Sequence, residues 1–228
     1  MHKIGQSAGK TWAYLLGVYL GDGCVYNHQG YLAFRLNSID KDFVEAAQSA
    51  IHELSDRKTQ LHGPYMDKRF PKAAAHWELR SGDVRLCEAL REETKDKKEI
   101  PSWLFAASKD ERLAFIAGVM DSEGFCSVNV EKRVGLLGIK ATDIWFDDFL
   151  RLTQSVGIVH GKIGIEEPRK PHYGVPRRVS FSLVSWVNSG AYFTIGRKQR
   201  KVAEWLKLPF RRPLRNLRGH MSGALETA

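Results

Sequence analysis

The sequence predicts an α+β protein built from two pseudo-symmetric halves, each with the element order α-β-β-α-β-β-α. An apolar stretch occurs twice, as WAYLLGVYLGDG at residues 12–23 and as LAFIAGVMDSEG at residues 113–124. Each copy is followed by two alternating segments, one segment with helical spacing and two more alternating segments. A chain of 228 residues can form one domain or two units of about 100 residues each. The repeat favours two similar halves in one chain.

A shift of 101 positions superposes the two copies and places Asp22 on Glu123. On a helix, small residues four positions apart form a smooth ridge that lets two helix backbones pack closely. The glycine after each acid, Gly23 or Gly124, is predicted to form a left-handed helix C-cap. The small residues that the same shift superposes are Ala13 on Ala114, Gly17 on Gly118 and Gly21 on Ser122.

The two acids would lie at the carboxyl ends of packed helices, where the helix dipole and the neighbouring carboxylate both disfavour negative charge. This arrangement favours a bound cation, and Mg²⁺ prefers carboxylate and carbonyl oxygens. The alternative interpretation is two buried core helices, since residues 15–20 and 115–120 are apolar nearly all round. Core packing gives no reason for an acid at the same step of both copies. The sequence therefore favours a functional site at Asp22 and Glu123.

The segments LLGVYLGDG at residues 15–23 and IAGVMDSEG at residues 116–124 resemble the two motifs of a single-chain LAGLIDADG homing endonuclease. The resemblance covers roughly residues 10–210. One departure is visible, because the sixth motif position is Asp121 in the second copy but Leu20 in the first. The expected organisation is an N-terminal LAGLIDADG half at residues 1–95, a linker at 96–108, a C-terminal LAGLIDADG half at 109–219 and a disordered tail at 220–228.

After its motif helix, the first half is expected to alternate pairs of strands with single helices. In its first two strands, Val25, Leu32, Phe34 and Leu36 would face the helices, because successive side chains point to opposite sides of a sheet. The predicted strands are residues 24–28, 31–37, 59–65 and 74–80, and the predicted helices are residues 39–55 and 83–93.

The second half repeats this order, and the two four-stranded antiparallel sheets would lie side by side beneath the motif helices as one long DNA-binding saddle. Residues 196–219 carry nine Lys and Arg against one acid, Glu204. This segment is either a solvated helix face with a basic tail or, beside such a saddle, an element that contacts phosphates. The predicted helices are residues 109–122 and 144–156, and the predicted strands are 125–131, 134–142, 162–166 and 178–187.

The resemblance implies that Asp22 and Glu123 bind catalytic metal ions, with the backbone carbonyls of Gly21 and Ser122 completing the coordination. It also implies that the product is a staggered double-strand break. Superposing Asp40 on Asp143 and Phe43 on Phe146 places Asn37 opposite Lys140, each at the end of the second strand of its half. Both are candidate catalytic helpers near the scissile phosphates, and Lys140 is the better candidate to stabilise phosphoryl charge.

Base reading would come from outward strand positions, because a sheet laid in the major groove presents alternate side chains to base edges. Each of these residues could instead belong to a solvated strand face. Loop residues Lys68, Arg69, Arg169 and Lys170 are expected to meet phosphates. The outward positions are Tyr26, His28, Arg35, His76, Glu78 and Arg80 in the first half and Ser127, Asn129, Glu131, Arg178, Ser180 and Ser182 in the second.

The composition fits a polyanionic partner, since 35 Lys and Arg against 26 Asp and Glu give a net charge of +9. Many ribosomal and secreted proteins are equally basic, so charge alone does not identify that partner. Cys24, Cys87 and Cys126 form no CxxC pair, which argues against a disulfide framework or a zinc site. No signal core or bilayer-spanning segment is visible, so we expect a soluble intracellular protein in an undetermined compartment. The resemblance to the single-chain, two-motif type implies a monomer.

The leading hypothesis is a site-specific endonuclease that hydrolyses both strands of a long, pseudo-palindromic double-stranded DNA target. Its expected cofactor is Mg²⁺, with Mn²⁺ also supporting cleavage and Ca²⁺ permitting binding without cutting. The alternative is an intron maturase, with its own intron RNA as partner, or a catalytically inactive nucleic-acid-binding protein on the same scaffold. Both acids are kept, which argues against a decayed enzyme, although a maturase can also keep them.

Overall fold

The computed structural model describes residues 6–66, 74–142, 144–166 and 174–208, apart from the side chains of residues 6–8 and 28. The first half contains α1 (Gln6–Leu20), β1 (Cys24–His28), β2 (Tyr31–Ser38), α2 (Lys41–Leu54), β3 (Thr59–Tyr65), β4 (His76–Ser81) and α3 (Val84–Glu93). A 3₁₀ turn, Ser102–Phe105, precedes the second half. The second half contains α4 (Lys109–Ser122), β5 (Gly124–Asn129), β6 (Val134–Ala141), α5 (Phe146–Ser155), β7 (Gly164–Ile165), β8 (Arg177–Ser180), α6 (Leu183–Ser189) and α7 (Gly196–Leu206).

The two motif helices, α1 and α4, pack against each other along their small-residue ridges. A Cβ atom added at Gly17 would clash with the Phe115 carbonyl oxygen and lie 2.9 Å from the Val119 nitrogen. The reciprocal contact holds at Gly118, where an added Cβ would lie 2.8 Å from the Val18 nitrogen. The helix backbones therefore touch at this crossing, and the close approach that the repeat predicts is confirmed.

Side-chain caps set the ends of several helices. Ser108 and Glu111 form a capping box at the start of α4. Asp83 caps α3 by accepting a hydrogen bond from the Leu86 nitrogen at 3.2 Å. α6 ends at Gly190, whose φ of 85° lies in the left-handed region that favours glycine.

Each half contains one four-stranded antiparallel sheet, with strand order β1-β2-β4-β3 in the first half and β5-β6-β8-β7 in the second. The inner faces pack on the helices, and the outer faces carry the alternate residues. This confirms the predicted α+β class with two similar halves, including the inward positions of the first hairpin. The innermost strand residues, all buried, are Phe34, Leu36 and Leu79 in the first sheet and Leu137, Ile139 and Val179 in the second.

One continuous hydrophobic cluster extends from the first half through α1 and α4 into the second half. The two halves therefore share a core at their interface. None of the described helices combines the length and apolar character that crossing a membrane requires.

The predicted left-handed caps at Gly23 and Gly124 are wrong, since neither glycine has a positive φ. The chain instead runs from the acid directly into a strand, and β5 begins at Gly124. Glycine is required by close packing, because a Cβ at Gly23 would lie 2.9 Å from Tyr19 Cα and one at Gly124 would clash with the Met120 carbonyl. Glycine is needed at both positions because the packing leaves no room for a side chain, and not because the backbone adopts a positive φ.

The predicted strand at residues 178–187 is also wrong after Ser180, because α6 follows β8. Ser182 caps α6 by accepting a hydrogen bond from the Ser185 nitrogen at 3.3 Å. Leu183 and Trp186, one helical turn apart, point into the core. Apolar residues at alternate positions fit a strand, but Ser182 supplies a helix start that the strand interpretation missed.

Candidate functional site

The carboxyl ends of α1 and α4 meet at one point, and both motif acids lie there. Glu123 is the C-cap residue of α4, and Asp22 lies two residues beyond the end of α1. A Cβ added at Gly21 would clash with the Ser122 side chain and lie 3.5 Å from Glu123 Cγ. The two motif ends are therefore in direct contact, which brings together Asp22, Glu123, Gly21 and Ser122.

An open pocket at this junction is lined by Asp22, Asp121 and Ser122 and by Arg197 and Lys198 of α7. The Asp22 side chain is exposed at the pocket mouth, yet the surrounding protein raises its pKa by desolvation. The charges of Lys198 and Lys97 act in the opposite direction. The site thus holds an acid in surroundings that disfavour its charge, and two lysines compensate only in part.

Each motif helix ends against a lysine ammonium group. Lys97 Nζ donates to the carbonyl oxygens of Gly21 and Gly23, the second at 3.1 Å. Lys198 Nζ donates to the carbonyl oxygens of Met120 at 3.0 Å and Asp121 at 2.6 Å. Cations at helix carboxyl ends complement the helix dipole. Neither lysine was predicted from the motifs, although the shift of 101 positions that aligns the motifs also superposes Lys97 on Lys198.

Lys198 is the more enclosed of the two lysines, with only 4% of its surface exposed. Burial lowers its pKa to about 8, against the opposing effect of the Asp121 charge. Its ammonium also lies 5.6 Å from the centre of the Phe193 ring. Lys198 can therefore exchange a proton nearer to neutral pH than an ordinary lysine.

The arrangement of helices and sheets is similar to that of solved homing endonucleases. A structure of I-DmoI in complex with DNA and Mn matches with a TM-score of 0.54 and 19% identity, over 80% of this chain and 96% of that chain. I-WcaI bound to its DNA recognition sequence matches with a TM-score of 0.55 and 10% identity, over 85% and 86%. The chain has the LAGLIDADG homing-endonuclease fold.

Full-length DUF199/WhiA from Thermatoga maritima shares the fold at a TM-score of 0.54 and 16% identity, with 89% of this chain and 60% of that chain covered. No protein-family model matches the sequence, and no curated protein matches it significantly. The similarity that the comparisons show therefore lies in the fold.

Asp121, at the sixth position of the second LAGLIDADG motif, is buried and accepts hydrogen bonds from two other segments. Its carboxylate accepts hydrogen bonds from the Thr194 nitrogen at 3.1 Å, from the Thr194 hydroxyl and from the Tyr14 hydroxyl at 3.2 Å. Desolvation raises its pKa to about 6, although Thr194 and Lys198 act against this. Leu20, the equivalent residue of the first motif, is fully within the core. Asp121 therefore links α4 to α1 through Tyr14 and to the segment before α7 through Thr194, and Leu20 does not make these contacts in the first motif.

The two lysines are positioned by different elements. Lys97 closes a run of three residues with positive φ, at 47° for Lys95, 55° for Asp96 and 68° for Lys97 itself. Residues with side chains seldom adopt this left-handed conformation, which costs about 1–2 kcal/mol per residue. Lys198 instead lies in the first turn of α7, where the neighbouring Arg197 pairs with Asp40 of the first half. A strained turn therefore positions Lys97, and a regular helix positions Lys198.

Asn37 and Lys140 occupy equivalent outward positions, as the sequence predicts. Asn37 pairs in register with Glu78, and Lys140 pairs with Arg178. Lys140 forms an ion pair with Glu166 on the edge of its sheet. The contacts described for both residues are within their own sheets, so their catalytic role stays a prediction.

The outer face of the first sheet carries a charged network centred on Glu78, which is only 5% exposed. Glu78 pairs with Arg80 and lies 4.0 Å from Arg35, and it accepts a hydrogen bond from the Tyr65 hydroxyl at 3.1 Å. His76 packs against Tyr65 with ring centres 4.0 Å apart. These contacts hold two guanidinium groups on the outward face.

Tyr26 also lies on this outward face, and its ring centre is 5.5 Å from the Arg35 guanidinium carbon. A contact of the same kind, at non-equivalent positions of the second sheet, places the Arg178 guanidinium carbon 4.7 Å from the Phe125 ring centre. Ser180 pairs with Gly138 on the same outward face. An arginine over an aromatic ring is thus present on both sheets.

Ser127 and Asn129 are exposed on the outer face of β5, as predicted. Glu131 and Ser182 are not on strands, because Glu131 lies in the β5–β6 turn and Ser182 caps α6. Both residues were predicted to lie on strands because the predicted strands, 125–131 and 178–187, extend past the ends of β5 and β8. Several predicted contacts lie outside the described residues, namely Lys68, Arg69, Arg169, Lys170, the side chain of His28 and the tail at residues 220–228.

The residues present fit a hard divalent cation that is shared with a substrate. Within the described residues, no three His, Cys, Asp or Glu side chains gather closely enough to enclose a metal ion. Asp22 and Glu123 would supply two carboxylates, and Mg²⁺ is commonly held by one or two carboxylates with water and phosphate oxygens. The Gly21 carbonyl already accepts from Lys97, but a carbonyl oxygen has a second lone pair.

Proposed function

We propose that this protein is a divalent-metal-dependent, site-specific endonuclease that cuts both strands of a long double-stranded DNA target. The observation that carries this proposal is the junction of two pseudo-symmetric helices, where each half contributes one acid and a lysine binds the end of each helix. A two-fold related pair of acids matches the two-fold relation of the strands in a duplex. Catalysis by a single chain then needs no second copy, so the proposed active form is a monomer.

Asp22 and Glu123 would hold the metal ions, which supply an activated water and stabilise charge on the attacking and leaving oxygens. The chain's own cations have a separate role. Lys97 and Lys198 place positive charge near Asp22. There they would attract the scissile phosphates and stabilise the negative charge that develops at phosphorus. Staggered cleavage would follow if each half acts on one strand.

The outer faces of the two sheets are the proposed DNA-binding surface. Arg35 and Arg80 of the first sheet and Lys140 and Arg178 of the second lie outward on strands that start or end beside the motif acids. Strand side chains can reach base edges in the major groove. The net charge of +9 would draw the duplex to the protein.

The test is cleavage of a randomised double-stranded DNA library by the purified protein, with sequencing of the broken ends. We expect Mg²⁺ or Mn²⁺ to support cutting of both strands at one long site, and Ca²⁺ to support binding alone. Asp22→Asn and Glu123→Gln should bind the selected DNA without cutting it.

Salt-sensitive binding of DNA by the unaltered protein, with no cutting under any of the three ions, would overturn the endonuclease proposal. The remaining function would then be nucleic-acid binding, and intron RNA would be the next ligand tested. Splicing assistance without nicking of DNA would identify a maturase.

A further inference from the structure

Two aliphatic side chains stand side by side on the outer face of the second sheet. Val134 and Leu136 of β6 are 53% and 41% exposed. The alternate residues face inward, since Leu137 is buried and a Cβ at Gly135 would clash with the Trp205 ring. The direction of Val134 and Leu136 is therefore fixed by the packing of their neighbours rather than by a mobile loop.

The first sheet has no such pair at the equivalent positions. Aligning Asn37 with Lys140 places Tyr31 opposite Val134 and Ala33 opposite Leu136. Ala33 is small and buried, and Tyr31 carries a hydroxyl group at its exposed end. The aliphatic pair is thus specific to one half of the molecule.

The surroundings of the pair are polar and basic. Across the ladder, Val134 pairs with Asn129 and Leu136 pairs with Ser127. Lys140, which pairs with Glu166, lies on the same face toward the motif acids, and the exposed turn at the other end of the hairpin carries Lys132 and Arg133 against one acid, Glu131. The turn therefore has a net positive charge, and a ligand that fits this surface has an apolar group beside negative charge.

The DNA major groove has this combination. Phosphates line its edges, and the only apolar group that its base pairs present is the thymine C5-methyl. The hairpin β5–β6 is continuous with the proposed DNA-binding surface at Lys140. Burial of an aliphatic side chain against a methyl group gives a favourable contact that a solvated strand face does not provide.

We propose that Val134 and Leu136 recognise thymine C5-methyl groups in the half-site under the second sheet. This inference rests on the proposed function and adds one element of the target. The half-site under the first sheet faces Arg35 and Arg80, whose guanidinium groups suit guanine edges. The two half-sites would therefore differ in how strongly they depend on thymine methyl groups.

The experiment compares thymine with uracil, which differs only by the missing methyl group. A duplex selected from the randomised library is resynthesised with uracil in place of thymine in one half-site, then in the other, and its affinity is measured in Ca²⁺. The half-site under the second sheet is the one whose base preference changes in Arg178→Ala. We expect affinity to fall about fourfold for each contacted methyl group removed there, and to stay unchanged in the other half-site.

The matched variants are Val134→Ser and Leu136→Ser, both at exposed positions where the fold does not need the side chain. Each should reduce the preference for thymine over uracil, and the double variant should remove it. Val184→Ser is the control, because Val184 is an exposed aliphatic residue on α6. It should leave the thymine preference at the value of the unaltered protein.

Equal affinity for thymine and uracil in both half-sites, by a protein that still binds and cuts its target, would overturn this inference alone. Failure to bind any duplex would overturn the proposed function instead. A shift of oligomeric state in light scattering, seen in the double variant and not in Val184→Ser, would assign the pair to contact between copies of the chain and would equally overturn methyl recognition.

Discussion

The two halves of the molecule are most alike along the axis between α1 and α4 and increasingly different away from it. At the axis, Gly17 and Gly118 make reciprocal backbone contacts, and Lys97 and Lys198 each bind the carbonyls at the end of a motif helix. On the outer sheet faces the equivalent residues differ in charge and size, as Glu78 opposite Arg178 illustrates. Helix contact and the acid pair tolerate little change, whereas a surface that faces a non-symmetric ligand can diverge.

The lysines show where this symmetry begins to fail. Lys97 binds the carbonyls of Gly21 and Gly23, whereas Lys198 binds those of Met120 and Asp121, which lie earlier in the second motif. A left-handed turn supports Lys97 and a helix supports Lys198. The difference teaches that the same kind of contact, an ammonium group at the end of a motif helix, can be made by different elements. Four predictions, ordered by expected size, test how far the equivalence of the two halves extends.

The largest effect is expected from Asp22→Asn and Glu123→Gln. Each should slow cleavage of both strands by roughly 10³-fold, because the two acids adjoin in one site and charge stabilisation there depends on both. The measurement is the rate of nicking and of linearisation of a supercoiled plasmid that carries the selected target. Accumulation of nicked circles at the rate of the unaltered protein would mean that the halves act independently.

The second prediction concerns the helix crossing. Gly17→Ala and Gly118→Ala should each lower the free energy of unfolding by about 3 kcal/mol, because the added Cβ has no space between two touching backbones. Urea unfolding measures both variants. Gly82→Ala is the control, since a Cβ at Gly82 would meet nothing within 4 Å. Clearly different losses at Gly17 and Gly118 would show that the crossing is less symmetric than its contacts.

The features at the axis were predictable from the sequence because the repeat encodes them twice. Helix α4, the small-residue ridge and the positions of Asp22 and Glu123 follow from local spacing. Lys97 was hidden because three consecutive positive φ angles bring it to the site, and residue preferences do not indicate such a turn. Helix α6 was mistaken for a strand because the alternation of Val179, Phe181 and Leu183 leads into it, although its own apolar residues have helical spacing and Ser182 caps it.

The third prediction uses Asp121, whose equivalent is Leu20. Its pKa is raised to about 6 from 3.8, so the folded state binds more protons than the unfolded state between these values. The stabilisation from the protonated carboxyl group is therefore present below about pH 4 and is lost as the pH rises to about 6. Asp121→Asn should remove this slope, worth about 2 kcal/mol over that range.

Urea midpoints at pH 4, 5, 6 and 7 in the presence of a metal chelator measure this difference between the unaltered protein and Asp121→Asn. The asparagine keeps the size of the side chain and part of its hydrogen bonding to Thr194. Parallel pH profiles for the two proteins would show that Asp121 does not titrate in this range, and that its difference from Leu20 has no effect on pH dependence.

The smallest effect is expected at Asn37 and Lys140, where the halves differ by one charge. Lys140→Ala should slow cleavage of one strand by about fivefold, close to 1 kcal/mol, because an ammonium group near a scissile phosphate stabilises developing charge. Asn37→Ala should change the other strand's rate by less than about twofold, since a neutral amide supplies only a weaker hydrogen bond. Duplexes labelled on one strand at a time measure each rate, and Lys109→Ala, at the opposite end of α4, controls for the change in net charge. Equal losses on both strands in Lys140→Ala would assign Lys140 to DNA binding as a whole, and the asymmetry between the two catalytic positions would then have to come from Lys97 and Lys198.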